Sequence, residues 1–302
     1  MVFADRLAQA VQRVGNPVMV GLDPRWENLP DSLRRDGDSP AEKAQAFQIF
    51  SCEVIDAVKD LVGIVKPQMA FFEQLGPSGF AALAEVTAYA RRQGLLVVLD
   101  GKRNDIGSTG AAYADAYLGE QASGIPADAL TVSPYLGDDS LTPFIEVADQ
   151  RDAGVFVLVK TSNPGGKLLQ DLVSDSLTIY QRMADLVNAA SAVRIGECGY
   201  GSVGAVVGAT YPQQLAELRQ RMPQSWLLVP GFGAQGGTAD SVAAAFDAKG
   251  LGAVVNNSRG IIFAYQRSEY AHFAGSKWQN AVEAATKQMI EQLRTETSVS
   301  QL

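Results

Sequence analysis

Eight short apolar runs recur along this chain with helix-like segments between them, and that alternation restricts the fold more than any single motif. The runs are PVMVGLD (17–23), GIVKPQMAFF (63–72), LLVVLDGK (95–102), ALTVSPYLG (129–137), GVFVLVKTSN (154–163), VGAVVGAT (203–210), WLLVPGFG (226–233) and GAVVNNSRG (252–260). They are continuously apolar rather than alternating, so the strands they predict are buried on both faces, as in a parallel sheet covered by helices. Eight such strands can close on themselves, and the expected fold is α/β, a single (β/α)8 (TIM) barrel. An open doubly wound sheet is the rival, but no G-x-G-x-x-G follows the first run.

Amphipathic patterns fill the intervals. Residues 39–62 open with Ser39-Pro40-x-Glu42, a cap followed by a proline suited to a first helical turn. Similar patterns cover 79–94, which stops at Gly94, and also 175–193 and 211–222. Two connections exceed what a minimal barrel needs, roughly 24–38 and 163–176. The expected division is a barrel domain over 1–290 and a polar, fraying tail over 291–302.

Composition removes several function classes. The 302 residues carry a formal charge of −8 and no Lys/Arg block, which argues against nucleic acid and anionic membrane surfaces as partners. No apolar run approaches the ~20 residues that span a bilayer, and the N-terminal MVFADRLAQAVQR reads as an amphipathic helix rather than a secretion signal. Two cysteines, Cys52 and Cys198, make no disulfide framework, so a reducing cytoplasm is the expected location. With His272 the only histidine, a Ser-His-Asp triad and a histidine-rich metal site are both excluded.

Barrel chemistry gathers at the C-terminal ends of the strands. Nearly every run ends there in a polar or charged residue: Asp23, Lys66, Asp100 with Lys102, Ser133, Thr161 with Ser162 and Asn163, Thr210, and Arg259. Asp100 and Lys102 are two apart and point to the same side of an extended strand, with Lys66 within reach on the neighbouring one. Solvated surface ion pairs are the plain alternative, yet charge stacked at the mouth of a core strand is costly without a purpose. The glycines of VPGFGAQGG (229–237) offer backbone N–H groups to an oxyanion. Arg259 heads a short helix beside them, matching the usual phosphate site after strands seven and eight. Lys160, at the end of the fifth run, is the competing lysine for a Schiff-base aldolase.

The pattern Asp100-Gly-Lys102-Arg-Asn-Asp105-Ile106 at the end of the third strand resembles the D-x-K-x-x-D-I signature of the orotidine 5′-phosphate decarboxylase family. Thr109 downstream, Asp23 and Lys66 upstream, and the Pro230-Gly231 loop with Arg259 extend the resemblance over residues 18–260 in the expected strand order. Chain length and the two long loops are similar to the longer bacterial branch.

The resemblance implies loss of CO2 from C6 of orotidine 5′-phosphate to give UMP, without metal or organic cofactor. It implies an alternating array of Lys66, Asp100, Lys102 and Asp105, in which Lys102 stabilises and protonates a C6 carbanion. It further implies that Asp105 enters the active site of a partner subunit, so that a homodimer shares its sites. It places Asp23 and Thr109 on the ribose, Ser162 on the pyrimidine, and Gly231, Gly233, Gln235 and Arg259 around the phosphate. Three alternatives stand beside it: a Mg-dependent decarboxylase or aldolase of a sugar phosphate, the Lys160 aldolase, and a non-enzymatic small-ligand binder.

Overall fold

Eight parallel strands close into a barrel: β1 (Val18–Leu22), β2 (Ile64–Pro67), β3 (Leu96–Arg103), β4 (Ala129–Val132), β5 (Gly154–Lys160), β6 (Gly201–Val207), β7 (Ser225–Pro230) and β8 (Ala253–Asn257). Each strand pairs with its neighbours in sequence, and β8 closes on β1 through Val18↔Val255 to Val20↔Asn257. The computed structural model describes residues 1–34, 37–233, 236–273 and 277–302.

Strand parity sorts the core into two layers. Met19, Ile64, Val98, Ala129, Phe156, Trp226 and Val254 pack together inside the barrel. Their chain neighbours Val18, Val20, Val65, Val97, Leu99, Val155 and Val255 face outward and pack under the helices. This two-sided burial is what the continuous apolar runs record.

The covering helices are α1 (Phe3–Val14), α2 (Pro40–Val58), α3 (Gly76–Arg92), α4 (Gly107–Tyr117), α5 (Thr142–Gln150), α6 (Ile179–Ala192), α7 (Pro212–Arg221) and α8 (Trp278–Glu296). Ser39 caps α2 as its sequence predicts: Glu42 N–H donates to Ser39 Oγ at 3.3 Å and Ser39 N–H to Glu42 Oε2 at 3.0 Å, a reciprocal cap worth ~1 kcal/mol. Helix α1 plugs the end of the barrel where the strands begin. The ring of Phe3 meets Phe156 edge-on at 6.1 Å, and a Cβ at Gly154 would lie 2.2 Å from Phe3 Cδ1.

The long connection after β5 carries a helical turn, Lys167–Gln170, and a small antiparallel hairpin pairing Val173 with Thr178. The division expected at residue 290 does not match the structure. Ile290 and Leu293 continue the buried face of α8 through to Glu296, and Val299 beyond it is 1% exposed. Among the described residues no helix is long and apolar enough to cross a membrane.

Candidate active site

The parity that fills the lower barrel with apolar side chains brings polar ones to the mouth. Following Met19, the inward positions of the first strand end in Asp23; following Ile64, they give Lys66 and Gln68; following Val98, Asp100; following Ala129, Thr131. These residues line a cavity of about 450 Å³ together with Lys102, Ser162, Gly231, Asn256, Ser258 and Arg259.

Asp100 is the hub. Lys66 Nζ donates to its Oδ2 at 2.7 Å and Gln68 Nε2 to the same oxygen at 3.1 Å. Lys102 Nζ donates to Oδ1 at 2.5 Å and Thr131 Oγ1 to it at 3.0 Å. Burial opposes the charged form, but the two ammonium groups outweigh it and hold Asp100 well below the usual carboxylate range. Lys66 is 3% exposed. Burial alone would lower its pKa, yet Asp100 and Asp23 beside it raise it instead. Asp23 goes the other way: burial pushes it up, against the opposing pull of Lys66 and the Ser258 hydroxyl. Its Oδ1 is buried without a donor, as is Asn256 Oδ1.

An irregularity in β3 delivers Lys102. Leu99 pairs with Leu130, but the next registered pair is Arg103 with Val132, so residues 100–102 stand against Thr131 alone. Lys102 adopts φ 47°, a left-handed conformation unusual for a residue with a side chain. Gly101 beside it admits no Cβ, which would lie 2.5 Å from Met69 Sδ.

The end of the cavity beside β7 and β8 is formed by Gly231, the loop after β7 and Arg259, which opens a four-residue helix. Gly231 and Gly233 sit at φ 101° and 71°. Gly233 N–H donates to Gly237 O at 2.8 Å and Gly237 N–H to Gly231 O at 3.1 Å, so these amides bond within the loop. Gly233 faces an adjoining space of about 680 Å³, which shares Phe232, Asn257 and Arg259 with the first. Gln235 lies outside the described residues.

The structure therefore brings together Lys66, Asp100, Lys102, Asp23, Ser162, Gly231 and Arg259. Asp105 and Thr109 do not line this cavity. They stand on the rim at the start of α4, where Asp105 Oδ1 accepts from Ile106 N–H at 2.8 Å.

Lys160 is excluded from the cavity, against the aldolase alternative. The β5–β6 register shifts between Leu158 and Lys160, and the lysine pairs instead with Asp171 over the rings of Tyr180 and Tyr211. It is 2% exposed, whereas Leu158 and Ser162 on either side of it reach the cavity. Both cysteines are unpaired and half-buried, with thiols pushed up to about 11 by burial. Among the described residues no group of three or more His, Cys, Asp or Glu side chains is placed to hold a metal ion.

Gln68, Thr131, Asn256, Asn257 and Ser258 are polar lining residues that sequence reasoning did not single out. Gln68 shares the parity of Lys66 and Thr131 that of Ala129. Extending the inward positions of each strand to its C-terminal end would have found Gln68, Thr131, Asn256 and Ser258.

The comparisons agree with this geometry. Residues 16–273 match the model of the orotidine 5′-phosphate decarboxylase / HUMPS family. The orotidine 5′-phosphate decarboxylase of Rhodopirellula baltica is 60% identical over 303 residues, covering 97% of this chain and 99% of that protein. The enzyme of the same description from Haloarcula marismortui is 45% identical over 268 residues, covering 87% and 88%. Among solved structures, the OMP decarboxylase of Leishmania donovani superposes with a TM-score of 0.75 at 34% identity, over 98% of this chain and 99% of that one. On the barrel, its charged mouth and these matches, the chain belongs to the orotidine 5′-phosphate decarboxylase / HUMPS family.

Proposed function

We infer that this chain is a carboxy-lyase that converts orotidine 5′-phosphate to UMP and CO2, completing UMP biosynthesis. The observation that carries the mechanism is one buried carboxylate, Asp100, clamped between two ammonium groups at the cavity floor.

When the C6–carboxylate bond breaks, its electron pair stays on C6 in the plane of the ring, where no ring orbital can delocalise it. Lys102 supplies fixed positive charge to that carbon and then one of its protons; substrate plus one proton gives UMP plus CO2. A preorganised cation lowers the barrier because it acts more strongly on the developing carbanion than on the ground state. Asp100 keeps Lys102 charged and aimed. The substrate carboxylate set beside Asp100 experiences a repulsion that departing CO2 relieves. Lys66 balances the carboxylates and contacts the ribose.

Remote groups hold the nucleotide. Asp23 Oδ1, a buried acceptor without a donor, suits a ribose hydroxyl, and Thr109, which like Asp105 lies outside its own chain's cavity, completes that contact from the partner subunit. Ser162 lies against the pyrimidine, while Gly231, Gly233 and Arg259 surround the phosphate. Binding energy collected at the phosphate is spent on orienting C6.

The active unit is a homodimer with shared sites. Asp105 lies outside its own chain's cavity, and the segments that follow β3 and β4 expose the apolar side chains Ile106, Tyr113, Tyr135 and Leu136, which suit a two-fold contact. Lys102 of one subunit would then have Asp105 of the other as its second carboxylate.

Loss of orotidine 5′-phosphate absorbance, followed with EDTA present, tests the activity. Turnover that survives chelation is expected. No turnover would refute the reading, and strict dependence on a divalent ion would favour the sugar-phosphate chemistry.

A further inference from the structure

In β3, residues 100–102 face the single residue Thr131 of β4. An irregularity of this kind takes backbone donors out of the ladder, and each must find another partner. For Lys102 that partner is a side chain: its N–H donates to Thr131 Oγ1 at 3.0 Å. A hydroxyl has one proton and spare lone pairs, and Thr131 directs its proton to Asp100 Oδ1 at 3.0 Å. One buried oxygen atom thus ties the backbone of one charged residue to the carboxylate of the other. Thr131 is 1% exposed, so solvent does not substitute for it.

We propose that Thr131 is a positioning residue of the reaction, fixing the Asp100 carboxylate and the Lys102 backbone relative to each other. Its importance is greatest during turnover. Lys102 Nζ and Thr131 Oγ1 are the two donors on Oδ1. When the ammonium turns toward C6, the hydroxyl keeps that oxygen in place, while Lys66 and Gln68 hold Oδ2. Without it the carboxylate swings about its remaining contacts, and displacements near 1 Å at a reacting centre cost about 10²-fold in rate. The inference rests on the decarboxylase reading.

Thr131→Val keeps the shape and removes the hydroxyl, leaving a backbone N–H and a carboxylate oxygen each short of a partner. The expected result is a fall in kcat of about 10- to 100-fold with KM within about threefold of wild type, since the ribose and phosphate contacts lie on other strands. Thr131→Ser is expected to return kcat to within about threefold, because it restores the hydroxyl. If the Val variant does not fold, Thr131→Ala carries the same expectations, and a melting curve confirms that each protein assayed is folded. Wild-type kcat in the Val variant, a loss confined to KM, or a Ser variant as impaired as Val would each overturn the proposal. Absence of wild-type turnover would refute the decarboxylase reading instead. The crystal structure of the Val variant then decides the positioning role alone: a rotated Asp100 carboxylate supports it and an unmoved one overturns it.

Discussion

Lys102 Nζ lies 2.5 Å from Asp100 Oδ1, yet 46% of the lysine side chain is exposed toward the mouth of the barrel. The ammonium is anchored through one of its three protons and can present the others to a ligand. Truncation should therefore disturb function far more than folding. Lys102→Ala is expected to keep the wild-type circular dichroism spectrum while kcat falls by about 10⁴-fold or more, since counter-charge and proton donor go together. A variant retaining a tenth of wild-type turnover would remove Lys102 from the mechanism.

Arg259→Ala should weaken the handling of the phosphate dianion. The expected effect is a fall in kcat/KM of about 10²-fold, as for loss of a charge-assisted contact worth a few kcal/mol. Added guanidinium should recover part of it. Kinetics identical to wild type would place the phosphate elsewhere.

Asp105 and Lys102 allow a complementation experiment. Asp105→Ala and Lys102→Ala homodimers should each be nearly inactive. After random exchange of equal amounts, about half of the dimers are mixed, and each mixed dimer has one site carrying both lesions and one carrying neither, so about a quarter of all sites recover. A mixture that stays inactive after demonstrated exchange would mean that Asp105 serves its own chain.

Asp23 predicts a pH-dependent stability. Burial raises its folded-state pKa, so its protonated form contributes stability that is complete below the unfolded value of about 3.9 and is lost as pH rises through the folded one. Above the folded-state pKa the wild type has lost that contribution, and Asp23→Asn, which never ionises, should melt about 1–3 °C higher there. The difference should close below about pH 4, where the wild-type carboxyl is protonated too. The same variant should raise KM through the ribose contact. A variant less stable than wild type above that pKa would show that Lys66 gains more from the charge than burial costs.

The barrel was legible because two-sided burial leaves a continuous apolar record, and Val97-Val98-Leu99 feeding Asp100 is its plainest instance. The charged half of the site was legible for a related reason: Lys66, Asp100 and Lys102 stand where apolar runs end. The uncharged half was hidden. Thr131 sits inside Ala129-Leu130-Thr131-Val132, where a β-branched residue reads as an ordinary strand former, and its role depends on a register shift that no residue type announces. Lys160 misleads for the same reason, since period-two counting from Leu158 turns it inward, whereas the irregular register carries it out to Asp171. The tail was misjudged because its polar composition conceals Leu293 and Val299, which continue the buried face begun before it.

The left-handed backbone of Lys102 sets stability against activity at one position. A residue with a side chain at φ 47° costs about 1 kcal/mol or more relative to glycine, so this barrel bears strain where it keeps its amine. Lys102→Gly should consequently melt at a higher temperature than Lys102→Ala, although both are inert. Selection for thermal tolerance alone would push residue 102 toward glycine and away from catalysis.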